Sequence, residues 1–233
     1  MKKRKSAAKA TGREPLTREV YDEIRKTLFL NDYPPGHKLD YRKMATEMNM
    51  SPTPLLQALK HMELLGLVRH EPNRGFFIIE ITPREVEEAY AVRESLELSI
   101  VPAILANLDA EGTKRLRQAL DEYCEVSRNG HVKLRMAKDF KFHLTLAELS
   151  GRSLTVGILR YLFDFSYLRS APGLIYYRPD DAAGQEHREI YSAVMARDKS
   201  ALCQAIRNHI RNVCRDTMSA LQQKEPGIDE IDF

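Results

Sequence analysis

The sequence lacks long apolar runs, and it has few cysteines. No apolar stretch approaches the roughly 20 residues that a helix needs to cross a bilayer. Residues 1–5 are basic, but no apolar run follows them, which argues against a secretion signal. The three cysteines, Cys124, Cys203 and Cys214, form no CxxC pair, and their odd number suits a reducing compartment. We therefore expect a cytoplasmic protein without a membrane segment.

The sequence also contains no glycine-rich phosphate loop, no internal repeat and no low-complexity tract beyond its first residues. Apolar residues make up 43% of the chain and charged residues 30%, a composition that supports packed cores. A length of 233 residues suits two compact domains.

Charge is distributed unevenly along the chain. Residues 1–75 contain 15 lysines and arginines against 9 aspartates and glutamates, a net charge of +6, which leaves −3 for the remainder. A basic front can contact a polyanion, or it can simply keep the chain in solution. Charge alone does not decide between these two interpretations. The pattern of residues along the chain is needed to choose between them.

The pattern over residues 15–80 predicts three short helices followed by a β-hairpin. The helices are predicted at residues 16–30, 41–48 and 52–65, and the strands at 67–70 and 76–79. Ser51 is expected to cap the third helix, with Pro52 at its first position and Gly66 at its end. This order is typical of a winged helix-turn-helix with a two-stranded wing, although a small helical domain of another kind can contain a similar turn.

The pattern over residues 81–223 predicts helices only. Thr82, Pro83 and Glu85 predict a capped helix start, and helical periodicity continues to residue 223 through about six helices. We therefore predict a mostly α protein with four parts. These are a flexible basic tail (1–14), a winged helix-turn-helix domain (15–80), an all-α antiparallel bundle (81–223) and a second tail (224–233).

Four polar residues in the predicted bundle lie on otherwise apolar helix faces. They are Asp139, His143, His187 and His209, and the first two are one helical turn apart. Three imidazoles and one carboxylate form a ligand set that suits a divalent transition metal such as zinc or nickel. Each histidine taken alone is more often a satisfied core residue, so the alternative is four separate core positions.

Two groups of residues resemble a known family. The front group is SPTPLLQAL at residues 51–59, with LLGLV at 64–68 and RGF at 74–76. The rear group is RESLE at 93–97, DFKFH at 139–143, EHREI at 186–190 and NH at 208–209. Over about residues 15–220 the chain resembles the GntR superfamily of bacterial transcription regulators, with a FadR-type FCD ligand-binding domain in its rear half.

The resemblance implies roles for individual residues of the rear half. It places the metal ligands at Asp139, His143, His187 and His209, and it implies a small carboxylate effector at or beside the metal. Arg93 matches the position of the family's effector-anchoring arginine. The physical reason for this role is that a guanidinium can bind a carboxylate through two hydrogen bonds. The alternative for Arg93 is a structural ion pair with Glu97 or Glu94. Tyr191 and Asn212 are further candidates to line the effector cavity.

The front half departs from the usual family pattern, Ser-Arg-Thr-Pro-Val-Arg-Glu-Ala-Leu. Pro52 and Leu56 replace its two arginines, and neither side chain can bind a phosphate or a guanine edge. Seven other residues remain as predicted contacts with double-stranded DNA. They are Arg42, Ser51, Thr53, Gln57, Lys60, Arg74 and Gly75.

The sequence therefore predicts a homodimeric, ligand-responsive transcription regulator that binds an operator and is not an enzyme. The same residues leave two alternatives open. One is a regulator for which the metal itself is the signal, and the other is a metal-dependent hydrolase.

Overall fold

The structure is a computed structural model that describes residues 18–30, 33–128, 132–169 and 180–222. The predicted tails (1–14 and 224–233) lie outside these residues. The elements are α1 (Arg18–Leu30), β1 (Lys38–Leu39), α2 (Tyr41–Glu47), α3 (Pro52–Leu64), β2 (Val68–Glu71), β3 (Gly75–Ile78), α4 (Pro83–Asn107), α5 (Ala110–Arg128), α6 (Val132–Glu148), α7 (Ser153–Leu168), α8 (Asp180–Met195) and α9 (Lys199–Gln222). Within the described residues, every helix is too short or too polar to traverse a bilayer.

The front part, here called the head, consists of α1–α3 and an antiparallel sheet. The sheet has three strands in the order β1-β3-β2, one more than the predicted hairpin. Leu39 of β1 pairs with Phe76, and its side chain is buried in the head core. A strand of two residues has no alternating pattern that a sequence could reveal, which explains why it was missed.

The ends of α3 follow from local chemistry. Pro52 occupies the first helical position, where its missing N–H leaves no hydrogen bond unmade. Ser51 is the N-cap residue, as predicted, and its side chain makes no capping hydrogen bond with the described residues. Gly66 has a φ of +68°, a left-handed conformation that ends the helix and turns the chain into β2.

The rear part, here called the bundle, consists of α4–α9, the six helices that the periodicity predicts. Thr82 and Glu85 form a reciprocal capping box at the start of α4, as predicted. Helix α4 packs against α9, α5 against α6 and α8, and α8 against α9. This arrangement brings the inner faces of α4, α6, α8 and α9 around one core.

Helix α7 joins the bundle to the head. Leu168, near its end, is buried in the head core, and the Tyr161 hydroxyl donates a hydrogen bond to the Leu65 carbonyl at 3.1 Å. Asp164 forms an ion pair with Arg25 of α1. The head is therefore attached through side chains as well as through the connecting chain.

Candidate functional site

Three helices bring together the four residues that the sequence singled out. Asp139 and His143 project from α6, His187 from α8 and His209 from α9. All four are buried, and one possible ligand atom from each lies within 4.8 Å of the others. Residues that are up to 70 positions apart therefore meet inside the bundle. We call this group of four residues the metal centre.

Asp139 lies among the three imidazoles. Its Oδ1 atom is 3.1 Å from Nε2 of His187, 3.4 Å from Nε2 of His209 and 3.9 Å from Nε2 of His143. All three rings therefore present the same nitrogen to one carboxylate. The arrangement places three nitrogen donors and one oxygen donor around a common point.

The other nitrogen of each ring, Nδ1, contacts a hydrogen-bond acceptor. The acceptors are Glu97 for His143 (2.8 Å), the Ala183 carbonyl for His187 (2.7 Å) and Glu186 for His209 (2.9 Å). A proton on Nδ1 leaves the lone pair of Nε2 directed toward the metal centre. Histidines that bind metals are oriented in this way by carboxylates and backbone carbonyls.

Four atoms at the centre are buried and have no hydrogen-bond partner among the described residues. They are Nε2 of His143, His187 and His209, together with Oδ2 of Asp139. Leaving a buried polar atom unsatisfied costs about 1–3 kcal/mol. Four such atoms facing one point fit a cation that would satisfy all of them.

The protonation states of His143, His187 and Asp139 suit a metal, whereas the metal would have to displace a proton from His209. Burial lowers the pKa of His143 to about 4 and lowers the pKa of His187, which keeps both rings neutral at pH 7. Burial opposes the charge of Asp139, but contacts with His187 and His209 outweigh it and hold its pKa well below the usual value. Burial also opposes a proton on His209, yet contacts with Asp139 and Glu186 raise its pKa.

The charged groups around the centre are mainly carboxylates. They are those of Glu97, Asp139 and Glu186, with one guanidinium, that of Arg93. The set of three imidazoles and one carboxylate fits a divalent transition metal.

Arg93 lies beside the metal centre on α4. Its Nε donates a hydrogen bond to Glu97 at 2.7 Å, whereas Glu94 pairs with Arg211 and Arg207 of α9. Its Nη2 makes no hydrogen bond with any residue that the structure describes, and it lies 3.9 Å from Oδ2 of Asp139. Arg93 thus has the structural partner Glu97 and a second donor atom beside the centre.

The remaining predicted effector residues occupy different places. Asn212 donates a hydrogen bond to Glu186 at 2.6 Å, so it belongs to the outer hydrogen bonds of His209. The Tyr191 ring instead lies 5.6 Å from the guanidinium of Arg117 on α5. The sequence predicted Glu97 only as a possible ion-pair partner of Arg93, gave Glu186 no role, and predicted neither as a hydrogen-bond acceptor for a histidine. Glu97 follows Arg93 by one helical turn, and Glu186 directly precedes His187.

Most of the predicted DNA contacts lie on one outer region of the head. Arg42, Ser51, Thr53 and Lys60 are exposed on or beside α2 and α3, and Gln57 is half-buried on α3. Leu56, at a usual arginine position, is half-buried and packs against the head core.

The wing carries the other two predicted DNA contacts. Arg74 is exposed at the turn between β2 and β3, and Gly75 begins β3 with a φ of +106°. Glu71 forms ion pairs with both Arg74 and Arg69, and both guanidiniums lie over the Phe77 ring. The sequence did not single out Arg69, although it lies in the first predicted strand.

A winged helix-turn-helix head on a helical bundle is an architecture typical of DNA-binding transcription regulators. Residues 16–78 match the family described as bacterial regulatory proteins, gntR family, and residues 88–212 match the FCD domain. The chain belongs to the GntR family of regulators that carry an FCD domain. Such proteins regulate transcription and are not enzymes.

Similar proteins agree with this assignment. The chain is 24% identical to the uncharacterized regulator YdhC of Bacillus subtilis and 23% identical to McbR of Escherichia coli, each over 90% of this chain and 94% of the relative. The fold is similar to that of E. coli McbR, with a TM-score of 0.78 at 19% identity over 90% of this chain and 99% of that one. A putative GntR regulator from Rhodococcus sp. RHA1 gives a TM-score of 0.72 at 21% identity, over 87% and 97%.

Proposed function

We propose that this regulator binds a divalent transition metal, zinc or nickel by its donor set, and a small carboxylate effector that modulates operator binding. The metal ligands in this proposal are Asp139, His143, His187 and His209. The observation that carries it is the group of four buried, unsatisfied atoms that face one point. When bound, the metal supplies positive charge and free coordination positions for an effector carboxylate.

Arg93 is the second part of the proposed effector site. Its guanidinium is held by Glu97 and by the faces of Phe163 and Tyr90, at 4.7 and 5.8 Å from the ring centroids. The void beside it is only about 10 Å³, enough for about one water molecule. An effector that reaches Arg93 must therefore displace neighbouring side chains. Phe163 is one of them, and it lies on α7, the helix that contacts the head.

The proposed regulator acts as a homodimer on an operator with twofold symmetry. Each α3 enters a major groove through Ser51, Thr53, Gln57 and Lys60, while Arg42, Arg74 and Gly75 contact the flanking backbone. We place the boundary between the DNA-binding and effector domains at residues 80–81. We propose that the heads adopt two positions relative to the bundle. The effector changes the equilibrium between these positions only through the difference in its affinity for them, typically ~1–3 kcal/mol.

The metal ligands are tested by measuring metal content. His187→Ala should lower the bound metal per chain, measured by mass spectrometry of the purified protein, while the protein still unfolds cooperatively. His61→Ala is the matched control, because His61 is exposed on α3 of the head. Unchanged metal content in the His187 variant would remove that residue from the ligand set.

The role of the metal is tested by dialysis against a chelator. We expect the metal-free protein to keep its affinity for operator DNA but to lose the thermal stabilisation that a panel of small carboxylic acids gives the metal-loaded protein. If DNA binding instead requires the metal when no acid is present, the metal is the signal and the carboxylate proposal fails.

A further inference from the structure

A second cavity lies between the head and the bundle, apart from the metal centre. It has a volume of about 640 Å³, within the usual range of small-molecule pockets. Helix α1 of the head forms one wall, and helices α5, α6 and α7 of the bundle form the others. We call this space the interdomain cavity.

The apolar part of its lining is mainly aromatic. Phe140 stacks on Phe163 at 4.4 Å between ring centroids and meets the edge of Tyr167 at 5.1 Å, and Leu144 and Leu168 lie beside them. Phe163 also contacts Arg93, so the two phenylalanines separate the cavity from the metal centre. Such a wall favours a flat apolar ligand, because aromatic rings stack with geometric preference.

The polar part of the lining is predominantly basic. Five cationic residues line the cavity, against two acidic ones, Asp164 and Glu148. The cationic residues are Arg25, Lys26, Arg115, Lys141 and Arg160. Lys141 pairs with Glu122, which leaves the arginines and Lys26 as the cations available to a ligand.

The guanidiniums of the cavity lining share its carboxylates. Glu148 lies 2.7 Å from Nη2 of Arg115 and 3.6 Å from Nη2 of Arg160. Asp164 pairs with Arg25 and also interacts electrostatically with Arg160, so three guanidiniums share two carboxylates. A ligand carboxylate would complete this pairing, since a guanidinium can bind a carboxylate through two parallel hydrogen bonds.

We infer that the interdomain cavity is a second ligand site, for an aromatic carboxylate, and that it does not need the metal. The ring would pack against Phe140 and Phe163, and the carboxylate would bind Arg115 and Arg160. Because α1 forms one wall, the ligand's affinity depends on the position of the head. Occupancy would therefore alter DNA binding, as linkage between two sites requires.

The test uses naphthalene-2-carboxylate as the probe and its uncharged carboxamide as the comparison ligand, with binding to the full chain measured by calorimetry. We expect one carboxylate per chain, binding at least 10-fold tighter than the carboxamide. Arg115→Glu and Arg160→Glu should each weaken carboxylate binding at least 10-fold. Arg117→Glu on α5 and Arg152→Glu before α7 are the matched controls, because neither residue lines the cavity.

Two further measurements separate this site from the metal centre and from a protein interface. Binding should persist in chelated protein and in His187→Ala, and the probe should change the dissociation constant for operator DNA. Thermal melting confirms that each variant is folded. The inference fails if the probe does not bind, if test and control variants bind it equally, or if the chelator abolishes binding. It also fails if Arg115→Glu changes only the monomer–dimer equilibrium, since a second copy of the chain would then cover the cavity.

Discussion

The ring orientation of each histidine at the metal centre is set by a different kind of acceptor. His187 contacts a backbone carbonyl of its own helix, so that acceptor survives any side-chain substitution. His143 and His209 instead depend on carboxylates, Glu97 on α4 and Glu186 on α8. The two carboxylates can therefore be changed separately, and each change tests a different property of the centre.

Glu186 should affect metal affinity without being a ligand. In Glu186→Ala, the His209 ring loses the acceptor that orients it, and we expect metal affinity to fall about 10–100-fold. Competition with a coloured chelator measures this affinity. Glu186→Gln, which keeps an acceptor oxygen, should recover part of it. Glu189→Ala, on the exposed side of the same helix, serves as the control. Equal affinity in all the variants would show that Glu186 does not position His209.

Glu97 should affect stability more than its neighbour Glu94 does. Glu97→Ala leaves the buried guanidinium of Arg93 without its hydrogen-bonded ion-pair partner and with only the longer contact to Asp139, a change that costs about 3–5 kcal/mol. Glu94→Ala breaks contacts with Arg211 and Arg207, which reach solvent, and should cost about 1 kcal/mol or less. Urea unfolding of the metal-free proteins gives both free energies. Similar losses in the two variants would mean that the Arg93 pair is not the stabilising contact.

At the scale of helices and strands, the features that depend on a few neighbouring residues, such as helix ends, were predictable from the sequence. The capping box at Thr82 and the left-handed turn at Gly66 are visible in a few adjacent residues, and the fold class is confirmed. Strand β1 was missed because Leu39 gains its pairing from Phe76, far along the chain. The residues that meet at the metal centre were predicted from their helix faces. Their Nδ1 acceptors were not, since choosing an acceptor requires knowing how the helices pack.

The wing contains its own negative charge. Glu71 pairs with Arg69 and Arg74, the two arginines nearest the turn between β2 and β3. Each guanidinium must leave Glu71, or share it, before it can bind a DNA phosphate. The wing is therefore less available to DNA than its arginine content suggests.

Removing that charge should strengthen DNA binding. For Glu71→Gln we expect several-fold tighter binding to operator and to unrelated DNA alike, because phosphate contacts carry no sequence information. The salt dependence of binding should steepen as a further phosphate contact forms. Fluorescence anisotropy over a range of salt concentrations measures both effects. Glu63→Gln removes one charge from α3 of the same head and is the control; an equal gain there would indicate only a general charge effect.

At the scale of the whole molecule, α7 connects the two parts of the chain. Phe163 faces Arg93 beside the metal centre, and the next residue, Asp164, pairs with Arg25 of the head. Farther along, Arg169 donates hydrogen bonds to the Glu80 carbonyl and to Glu85, and its own carbonyl accepts one from the Ile81 N–H. Contacts therefore run without a gap from the metal centre to the head and to the chain that joins them.

The Asp164–Arg25 ion pair should hold the head against the bundle. The Asp164 side chain is only 9% exposed, so Asp164→Ala removes a buried, charged hydrogen bond worth about 1–3 kcal/mol. We expect the head to unfold at a lower temperature, separately from the bundle, with metal content unchanged. Differential scanning calorimetry resolves the two transitions. Asp121→Ala is the control, because it breaks an exposed pair with Arg117 inside the bundle. If both variants keep one transition at the wild-type temperature, the pair does not couple the head to the bundle, and α7 must act through Tyr161 and Arg169 instead.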